Sequence, residues 1–492
     1  MEKDPLGGIA AGSVPLTALD SLMSFYNHPL VHFFENKRAS PDFMPGDALK
    51  ASLSAALREF PLLLGHICDT RGGAAAAVVD CSSTNTPEFV ESSSAVHFSD
   101  IRRAKFSWDA WPSGVATAGP VTTPVNGVVK LLSIHVVRLA SNSGVILFCN
   151  IPHFVVDGVG YYEFLGCWAR LFRNSRSNGA ASAVGPEPTR FTFDRELFAS
   201  WMHGARRPLS PTLHGMLTGG GVLLQTLERI PFATRTRLVA AGSSVSYGHG
   251  HVFHVSRTAL EALCSRAQAQ APDGAELTSY SLLTALFSTA IFQARAARRQ
   301  KSSYVVRAVS AAAAAVLRHA VSVQAEPRML LNVVHTHHLH PADAACYIGN
   351  SVYLHPMNIA EPVAGAGVDE LSGAAIQIAL ALRGVDRGLV SEFHATVGAH
   401  PLAYASLAVH MAARPDALTV IDERHYKTGG MDFGDGGPAW VSGLPRHLPN
   451  FVAFFAAPEL AGGARVYVSL GAATVDALLR DAHFTAHAEF VY

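Results

Sequence analysis

The segment from Gly144 to Arg170 (GVILFCNIPHFVVDGVGYYEFLGCWAR) places a histidine, His153, four residues before the pair Asp157-Gly158. An imidazole has an ordinary pKa near neutrality, so His153 could accept a proton from a substrate hydroxyl. The spacing alone carries little weight, because a chain with 24 histidines contains such a pair about once by chance. Two interpretations therefore stay open: a general base, or a core histidine followed by an aspartate that caps a helix.

The apolar pattern predicts the elements that would position this histidine. Residues 145–151 form a continuous apolar run typical of a buried strand, and the residues after Gly158 are apolar at helical spacing. A strand, a histidine, a tight Asp-Gly turn and a helix would hold an imidazole at the edge of a cavity. Cys149 lies within the strand, and we expect it to pack there rather than to act as a nucleophile.

The composition excludes several classes of protein. Of the 492 residues, 49% are hydrophobic and 15% are charged, which favours two or three domains with large cores. Lys+Arg and Asp+Glu number 38 each, so we expect no nucleic-acid partner. Six cysteines without CxxC pairing predict neither a disulfide framework nor a zinc site. The chain shows no secretory signal and no apolar run long enough for a membrane span, so we expect a cytoplasmic location.

The order of predicted elements indicates a mixed α/β fold in two halves. Strands are predicted at 30–34, 75–79, 128–137, 145–151, 251–255, 304–309, 329–334, 352–355, 450–456 and 465–470, and helices at 48–60, 258–270, 277–299 and 475–482, besides the helix after Asp157. We therefore expect an N-terminal domain at 1–190, a crossover segment at 191–250 and a C-terminal domain at 251–492. A ligand would commonly bind between two such domains.

A second motif, DFGDGGP, lies at residues 432–438. Its three glycines and one proline favour a rigid turn, which is the simplest interpretation of the segment by itself. Protein kinases also contain DFG, but their HRD loop and glycine-rich nucleotide loop are absent from this sequence.

Together, HFVVDG and DFGDGGP resemble the BAHD and fungal CoA-dependent acyltransferases, which carry HxxxDG in mid-chain and DFGxG near the C-terminus. Further segments resemble that family in the same order: VPLTALDSL at 14–22, LREFPLLLGHI at 57–67, TSYSLLTALFSTAIF at 278–292, CYIGNSVY at 346–353 and RVYVSLGAATVDALLRDAHF at 465–484. The resemblance covers about residues 14 to 484, and the order of the motifs favours the functional interpretation of His153.

The resemblance implies two chloramphenicol-acetyltransferase-like domains that meet at a solvent channel. It implies transfer of an acyl group from acyl-CoA to a hydroxyl, or less readily an amine, of a small molecule such as a secondary metabolite or glycolipid. His153 would be the general base and Asp157 a structural residue. The following residues complete the implied site: Gly158, Asp432, Phe433, Gly434 and Gly436 in structural loops, and Ser281, Thr284 and Asn350 at the cofactor. Acyl-CoA would be a co-substrate with no permanently bound cofactor and no metal, and we expect a monomer.

The sequence departs from the family pattern at three positions. Asp435 stands where DFGWG has tryptophan, and the stretch 332–340 (NVVHTHHLH) lacks the arginine that usually pairs with the HxxxD aspartate. His335 or His337 would replace that arginine, which would make the interaction with Asp157 depend on pH. Thr419 is the candidate oxyanion donor, although isoleucine replaces the tryptophan of the usual Thr-x-Trp pair.

Two alternative functions stay open at this stage. A carrier-protein-dependent condensation enzyme usually has HHxxxDG, whereas Pro152 precedes His153 here, and such enzymes lack DFGxG. A non-catalytic homologue would also fit the altered positions. The run His335, His337, His338 and His340 is not expected to bind a metal, since no carboxylate or cysteine completes a site.

Overall fold

A computed structural model describes most of the chain. The described residues are 13–23, 26–69, 77–80, 87–116, 119, 129–176, 190–219, 248–301, 328–342, 346–360, 369–400, 403, 406–407, 411, 417–426, 428–458 and 462–492. The predicted strand at 304–309 lies outside them.

The strands are β1 (Ser13–Pro15), β2 (Asn27–Glu35), β3 (His66–Asp69), β4 (Ala77–Asp80), β5 (Glu88–Ser93), β6 (Ser133–Arg138), β7 (Gly144–Pro152), β8 (Phe191–Thr192), β9 (Gly248–Val255), β10 (Met329–His335), β11 (Cys346–Tyr347), β12 (Val352–Asn358), β13 (Leu418–Asp422), β14 (Trp440–Ser442), β15 (Arg446–His447), β16 (Phe451–Ala457), β17 (Gly463–Leu470) and β18 (Glu489–Phe490).

The α-helices are α1 (Ala18–Leu22), α2 (Gly46–Glu59), α3 (Phe98–Arg103), α4 (Gly158–Arg176), α5 (Arg195–Trp201), α6 (Pro211–Thr218), α7 (Arg257–Gln268), α8 (Ser279–Lys301), α9 (Glu370–Arg383), α10 (Arg387–Ala399), α11 (Ala472–Arg480) and α12 (Ala482–Thr485). Short 3₁₀ helices lie at Pro61–Leu64, Trp108–Ala110, Ala140–Asn142, His337–Leu339 and Thr428–Gly430.

Two large mixed sheets organise these elements, which confirms the predicted mixed α/β class. The N-terminal sheet has the order β14-β2-β7-β6-β5. The C-terminal sheet has the order β12-β10-β13-β16-β17-β9-β15, with β18 paired to β9. A small sheet β1-β4-β3 and the parallel pair β8–β11 complete the strand pairing of the described chain.

One strand of the C-terminal half of the sequence belongs to the N-terminal sheet, which the predicted division does not include. Strand β14 belongs to the C-terminal half in sequence, but it pairs antiparallel with β2, with Trp440 opposite Phe33. The segment 251–492 therefore contributes an edge strand to the N-terminal sheet. This strand follows directly on the DFGDGGP segment and holds that segment against the first half.

The largest hydrophobic core forms around β7 and α4, the two elements that flank His153. All nine residues of β7 are buried, in agreement with the predicted continuous apolar strand. Helix α4 packs its apolar face inward, and Phe164, Leu165 and Trp168 are fully buried. Burial of each such side chain stabilises the fold by about 2–3 kcal/mol, so both ends of the segment carrying His153 are fixed by packing.

Differences from the sequence prediction occur where local signals were weak. Within residues 129–137, the described part of the strand predicted at 128–137, β6 begins only at Ser133. Helices α9 and α10 were not predicted. The side chains of Asp369 and Asp386 cap their N-termini by accepting hydrogen bonds from backbone N–H groups of the first turn. Within the described part of the chain, no helix is both long and apolar enough to cross a membrane.

Candidate active site

His153 lies directly after β7, and its backbone N–H donates a hydrogen bond of 2.8 Å to the carbonyl oxygen of Tyr26. The side chain is partly exposed, although the neighbouring Pro152 and Phe154 are buried. The backbone is therefore anchored to Tyr26, while the side chain is only partly buried.

Asn350 determines which nitrogen of His153 carries the proton. The amide Nδ2 of Asn350 donates to the backbone oxygen of His153 at 2.7 Å and to Asp20 Oδ1 at 2.9 Å. Both partners can only accept, so the amide oxygen must face the ring, where Oδ1 lies 2.9 Å from His153 Nδ1. In the neutral ring, Nδ1 therefore carries the hydrogen and Nε2 presents a lone pair. This is the tautomer that a general base needs.

A buried ion pair supports Asn350 from behind. Asp20 is fully buried, and its second carboxylate oxygen lies 3.4 Å from Arg195 Nε. Arg195 also donates to the carbonyl oxygens of Val155, two residues after His153, at 3.3 Å and of Ile348 at 2.8 Å. The ion pair thus joins the first helix, the loop after His153 and the segment that carries Asn350.

Removal of the Asn350 amide should lower catalysis while leaving substrate binding largely intact. We expect Asn350→Ala to reduce kcat by about 10²-fold, because a misplaced or wrongly protonated imidazole costs on that order. Steady-state kinetics check this, with KM expected to change far less than kcat. Asn36→Ala is the control, since this amide bonds loop oxygens of Ser40 and Asn142; equal losses in the two variants would contradict the positioning role.

Asp157 caps α4 and accepts a hydrogen bond from the C-terminal half. Its Oδ1 accepts from the Gly160 N–H at 3.1 Å, which is the N-cap interaction. Its Oδ2 lies 2.7 Å from His337 Nε2 and accepts from the Ser351 N–H at 3.0 Å. Burial acts to raise the pKa of Asp157, but His337 and these hydrogen bonds hold it well below its ordinary value. The carboxylate points into the protein, and its structural role stays a prediction.

Gly158 is required by the close approach of Tyr426. A Cβ atom at this position would lie 2.1 Å from the Tyr426 hydroxyl oxygen. That hydroxyl is 2.7 Å from His335 Nε2, so any side chain at 158 would displace the Tyr426–His335 pair.

We expect Gly158→Ala to destabilise the protein by about 1–3 kcal/mol, the usual cost of forcing extra volume into a packed site. Gly166→Ala on the same helix is the matched control, because its Cβ would meet no atom closer than 3.9 Å. Alanine there should be neutral or stabilising. Denaturant unfolding of both variants measures the difference, and equal free energies of unfolding would refute the steric explanation.

The histidines of the stretch 332–340 occupy separate positions. His335 ends β10, whereas His337 begins a 3₁₀ helix. His337 contacts Asp157 as one of the two predicted replacements for the arginine, and burial lowers the pKa of His335 to about 3. His340 Nε2 lies 2.9 Å from Ser351 Oγ. No cluster of three or more metal-binding side chains occurs among the described residues.

The DFGDGGP segment forms a turn closed on Asp432. Its Oδ1 accepts from the N–H groups of Gly434 and Gly436 at 2.7 and 2.8 Å, and both glycines have positive φ. Phe433 is buried, and its ring meets those of Phe34, Trp168 and Phe172 edge-on. Asp435, which replaces the usual tryptophan, lies 3.4 Å from Arg38. The turn therefore packs on the N-terminal core, in the manner of a structural loop.

The remaining candidate residues lie within regular elements. Ser281 and Thr284 are buried in α8, and Ser281 Oγ donates to the Thr278 carbonyl oxygen. Thr419 lies inside β13, where its N–H donates to the Asn450 carbonyl oxygen, and its role as oxyanion donor stays a prediction. Cys149 is fully buried, and burial raises the pKa of its thiol to about 12, which fits packing in the strand.

Two residues that sequence reasoning missed lie close to the histidine. The ring of His28, on β2, is 5.7 Å from the ring of His153, centroid to centroid. Glu423, which follows β13, is buried, and its Oε2 lies 4.0 Å from His28 Nε2. Neither residue belongs to a motif, so no local signal could have identified them.

The N-terminal part of the chain is similar to a known protein family. Residues 7–214 match the model of the Transferase family. Putrescine hydroxycinnamoyltransferase 1 of Oryza sativa subsp. japonica is 26% identical over 258 residues, which cover 50% of this chain and 55% of that protein. The chain thus spans about half the length of this curated relative.

Solved structures extend the likeness to nearly the whole chain. TRI101 of F. graminearum, complexed with coenzyme A and T-2 mycotoxin, has a TM-score of 0.69 at 14% identity and covers 98% of this chain and 100% of that one. Vinorine synthase has a TM-score of 0.55 at 15% identity over 97% of this chain and 94% of that one. The comparisons confirm the predicted resemblance to BAHD and fungal CoA-dependent acyltransferases, and with it the predicted two-domain fold.

Proposed function

We propose that this protein transfers an acyl group from acyl-CoA to a hydroxyl of a small-molecule acceptor, with His153 as the general base. The observation that carries the proposal is the tautomer imposed by Asn350, which places the lone pair of the neutral, solvent-accessible imidazole on Nε2. The similarity to proteins solved with coenzyme A supports acyl-CoA as the donor.

The reaction follows from the position of this nitrogen. Nε2 removes the proton of the acceptor hydroxyl as its oxygen attacks the thioester carbonyl carbon. The resulting imidazolium keeps its Nδ1–H bonded to Asn350, whose amide is in turn bonded to the Asp20 carboxylate. As the C–S bond breaks, the imidazolium returns the proton to the leaving thiolate. Binding of both substrates side by side supplies much of the rate acceleration, because the reaction between them becomes effectively unimolecular.

Thiol release tests the proposal directly. Acetyl-, malonyl- and long-chain acyl-CoA are each incubated with pools of alcohols and amines, and free CoA is measured with a thiol reagent. We expect release that requires both an acyl-CoA and an alcohol. Product mass spectrometry should show an ester that carries the transferred acyl group.

A condensation-type reaction is the second candidate, because the first condensation domain of the CDA synthetase shares the fold with a TM-score of 0.50 at 13% identity. Turnover of free acyl-CoA without a carrier protein would exclude a requirement for a carrier. Absence of CoA binding by calorimetry, together with absence of release from every donor, would instead indicate a non-catalytic homologue.

A further inference from the structure

A second pair of buried polar side chains lies beside His153, and the acyl-transfer chemistry described above does not use it. His28 is the second residue of β2 and Glu423 follows β13, so the His28–Glu423 pair joins the two large sheets. Their side chains are only 9% and 6% exposed. The gap of 4.0 Å between His28 Nε2 and Glu423 Oε2 is too long for a hydrogen bond.

Both atoms lack a hydrogen-bond partner in the described structure. Native proteins rarely leave buried polar atoms unpaired, because each loses its contacts with water and gains nothing in return. A single oxygen about 2.8 Å from each atom would bridge a gap of this size with ordinary geometry. The hydroxyl of Tyr162 is likewise buried and unpaired; burial, and then the charge of Glu423, raises the pKa of that hydroxyl.

The pair is placed to contact the acceptor. The His28 ring lies 5.7 Å from the His153 ring and 4.7 Å from the Tyr161 ring. A small acceptor with two hydroxyls could thus contact His153 and the His28–Glu423 pair at the same time.

We propose that the His28–Glu423 pair binds a second hydroxyl of the acceptor, so that the preferred substrates are diols or polyols. The inference rests on the O-acyl transfer proposed above and names the class of its acceptor. No covalent step occurs at the second hydroxyl, which is held only by hydrogen bonds.

The charges of the pair favour a hydroxyl over an ammonium group. Burial lowers the pKa of His28 well below its ordinary value, and burial, with a further contribution from Asp422, raises the pKa of Glu423 to about 8. Near pH 7 both groups are therefore mainly uncharged. A neutral carboxyl group can donate to an oxygen that in turn donates to a neutral imidazole, and a hydroxyl plays both parts at once.

The test compares trans-1,4-cyclohexanediol with cyclohexanol as acceptors, with acetyl-CoA as donor. For the wild type we expect kcat/KM to favour the diol by about tenfold, the usual effect of one or two buried hydrogen bonds. Glu423→Gln should keep this preference, because an amide also donates and accepts, whereas Glu423→Leu should abolish it. The exposed Glu59→Gln serves as the control. Equal use of both alcohols by the wild type would overturn the inference.

Two further measurements separate this inference from the proposed function. If no thiol is released with any acceptor, the proposed O-acyl transfer is wrong. Saturation-transfer NMR on the CoA-bound protein then compares binding of the diol to the wild type and to Glu423→Leu. Equal signals from the two proteins would overturn the subsite. A preference for trans-4-aminocyclohexanol that disappears in Glu423→Gln would overturn it in favour of a cation site. If Glu423→Leu does not fold, His28→Phe takes its place in the same comparisons.

Discussion

Replacement of His153 by alanine should lower acyl-CoA-dependent thiol release by about 10²–10⁴-fold, the range that a positioned general base contributes. The partly exposed ring has one side-chain hydrogen bond, to Asn350, and the proposed reaction needs its Nε2 for both proton transfers. Single-turnover measurements of the rate of ester formation check the size of the loss, since they exclude effects on product release.

The fold should survive this change. The backbone of His153 is anchored through its N–H, and the ring is only partly buried, so we expect a thermal melting curve close to that of the wild type. His203→Ala is the control because His203 is exposed and lies just after α5; it should retain full activity. Retention of most of the activity in His153→Ala would refute the assignment of the base.

Asp157→Asn should reduce both activity and stability, with a loss of about 2–4 kcal/mol in the free energy of unfolding. The two oxygens of Asp157 accept from Gly160, Ser351 and His337 inside the protein. In asparagine an NH₂ group replaces one of these oxygens and faces N–H donors of its former partners. The loop after His153 would therefore shift. Chemical denaturation measures the stability, and kcat reports the shift of the loop.

Asp194→Asn is the matched control for this substitution. Asp194 also caps a helix, accepting from the N–H groups of Glu196 and Leu197, but it is exposed. Asparagine is an equally good N-cap, so stability should change little there. A fall in turnover of Asp157→Asn without any loss of stability would contradict the structural role of Asp157.

The wild type and Asp157→Asn should differ in their free energy of unfolding by an amount that depends on pH. The direction of this dependence follows from the lowered pKa of Asp157. The folded protein holds the pKa of Asp157 below the value of about 4 that the unfolded chain has. The carboxylate therefore contributes its full stabilisation above that value and loses it as the pH falls toward the folded pKa. Through the titration of Asp157 itself, the difference in unfolding free energy should narrow as the pH falls below about 4 toward the folded pKa.

The elements around the histidine could be predicted because their signals are local. A continuous apolar run specifies β7, helical spacing specifies α4, and the Asp-Gly pair marks the turn between them. The motif order further predicted the two-domain fold. Helices α9 and α10 escaped prediction even though aspartates cap them, because their apolar faces were not recognised as a helical repeat.

By itself the sequence determined that a strand, a histidine, a tight turn and a helix follow one another, since these depend on residues within a few positions of each other. Only the tertiary structure decided the tautomer of His153, which depends on Asn350, 197 residues away, and on Asp20, 330 residues before Asn350. It alone selected His337 as the partner of Asp157 and placed Glu423 beside His28. Such contacts depend on how the two sheets meet, because hydrogen bonds form between atoms about 3 Å apart whatever their separation in sequence.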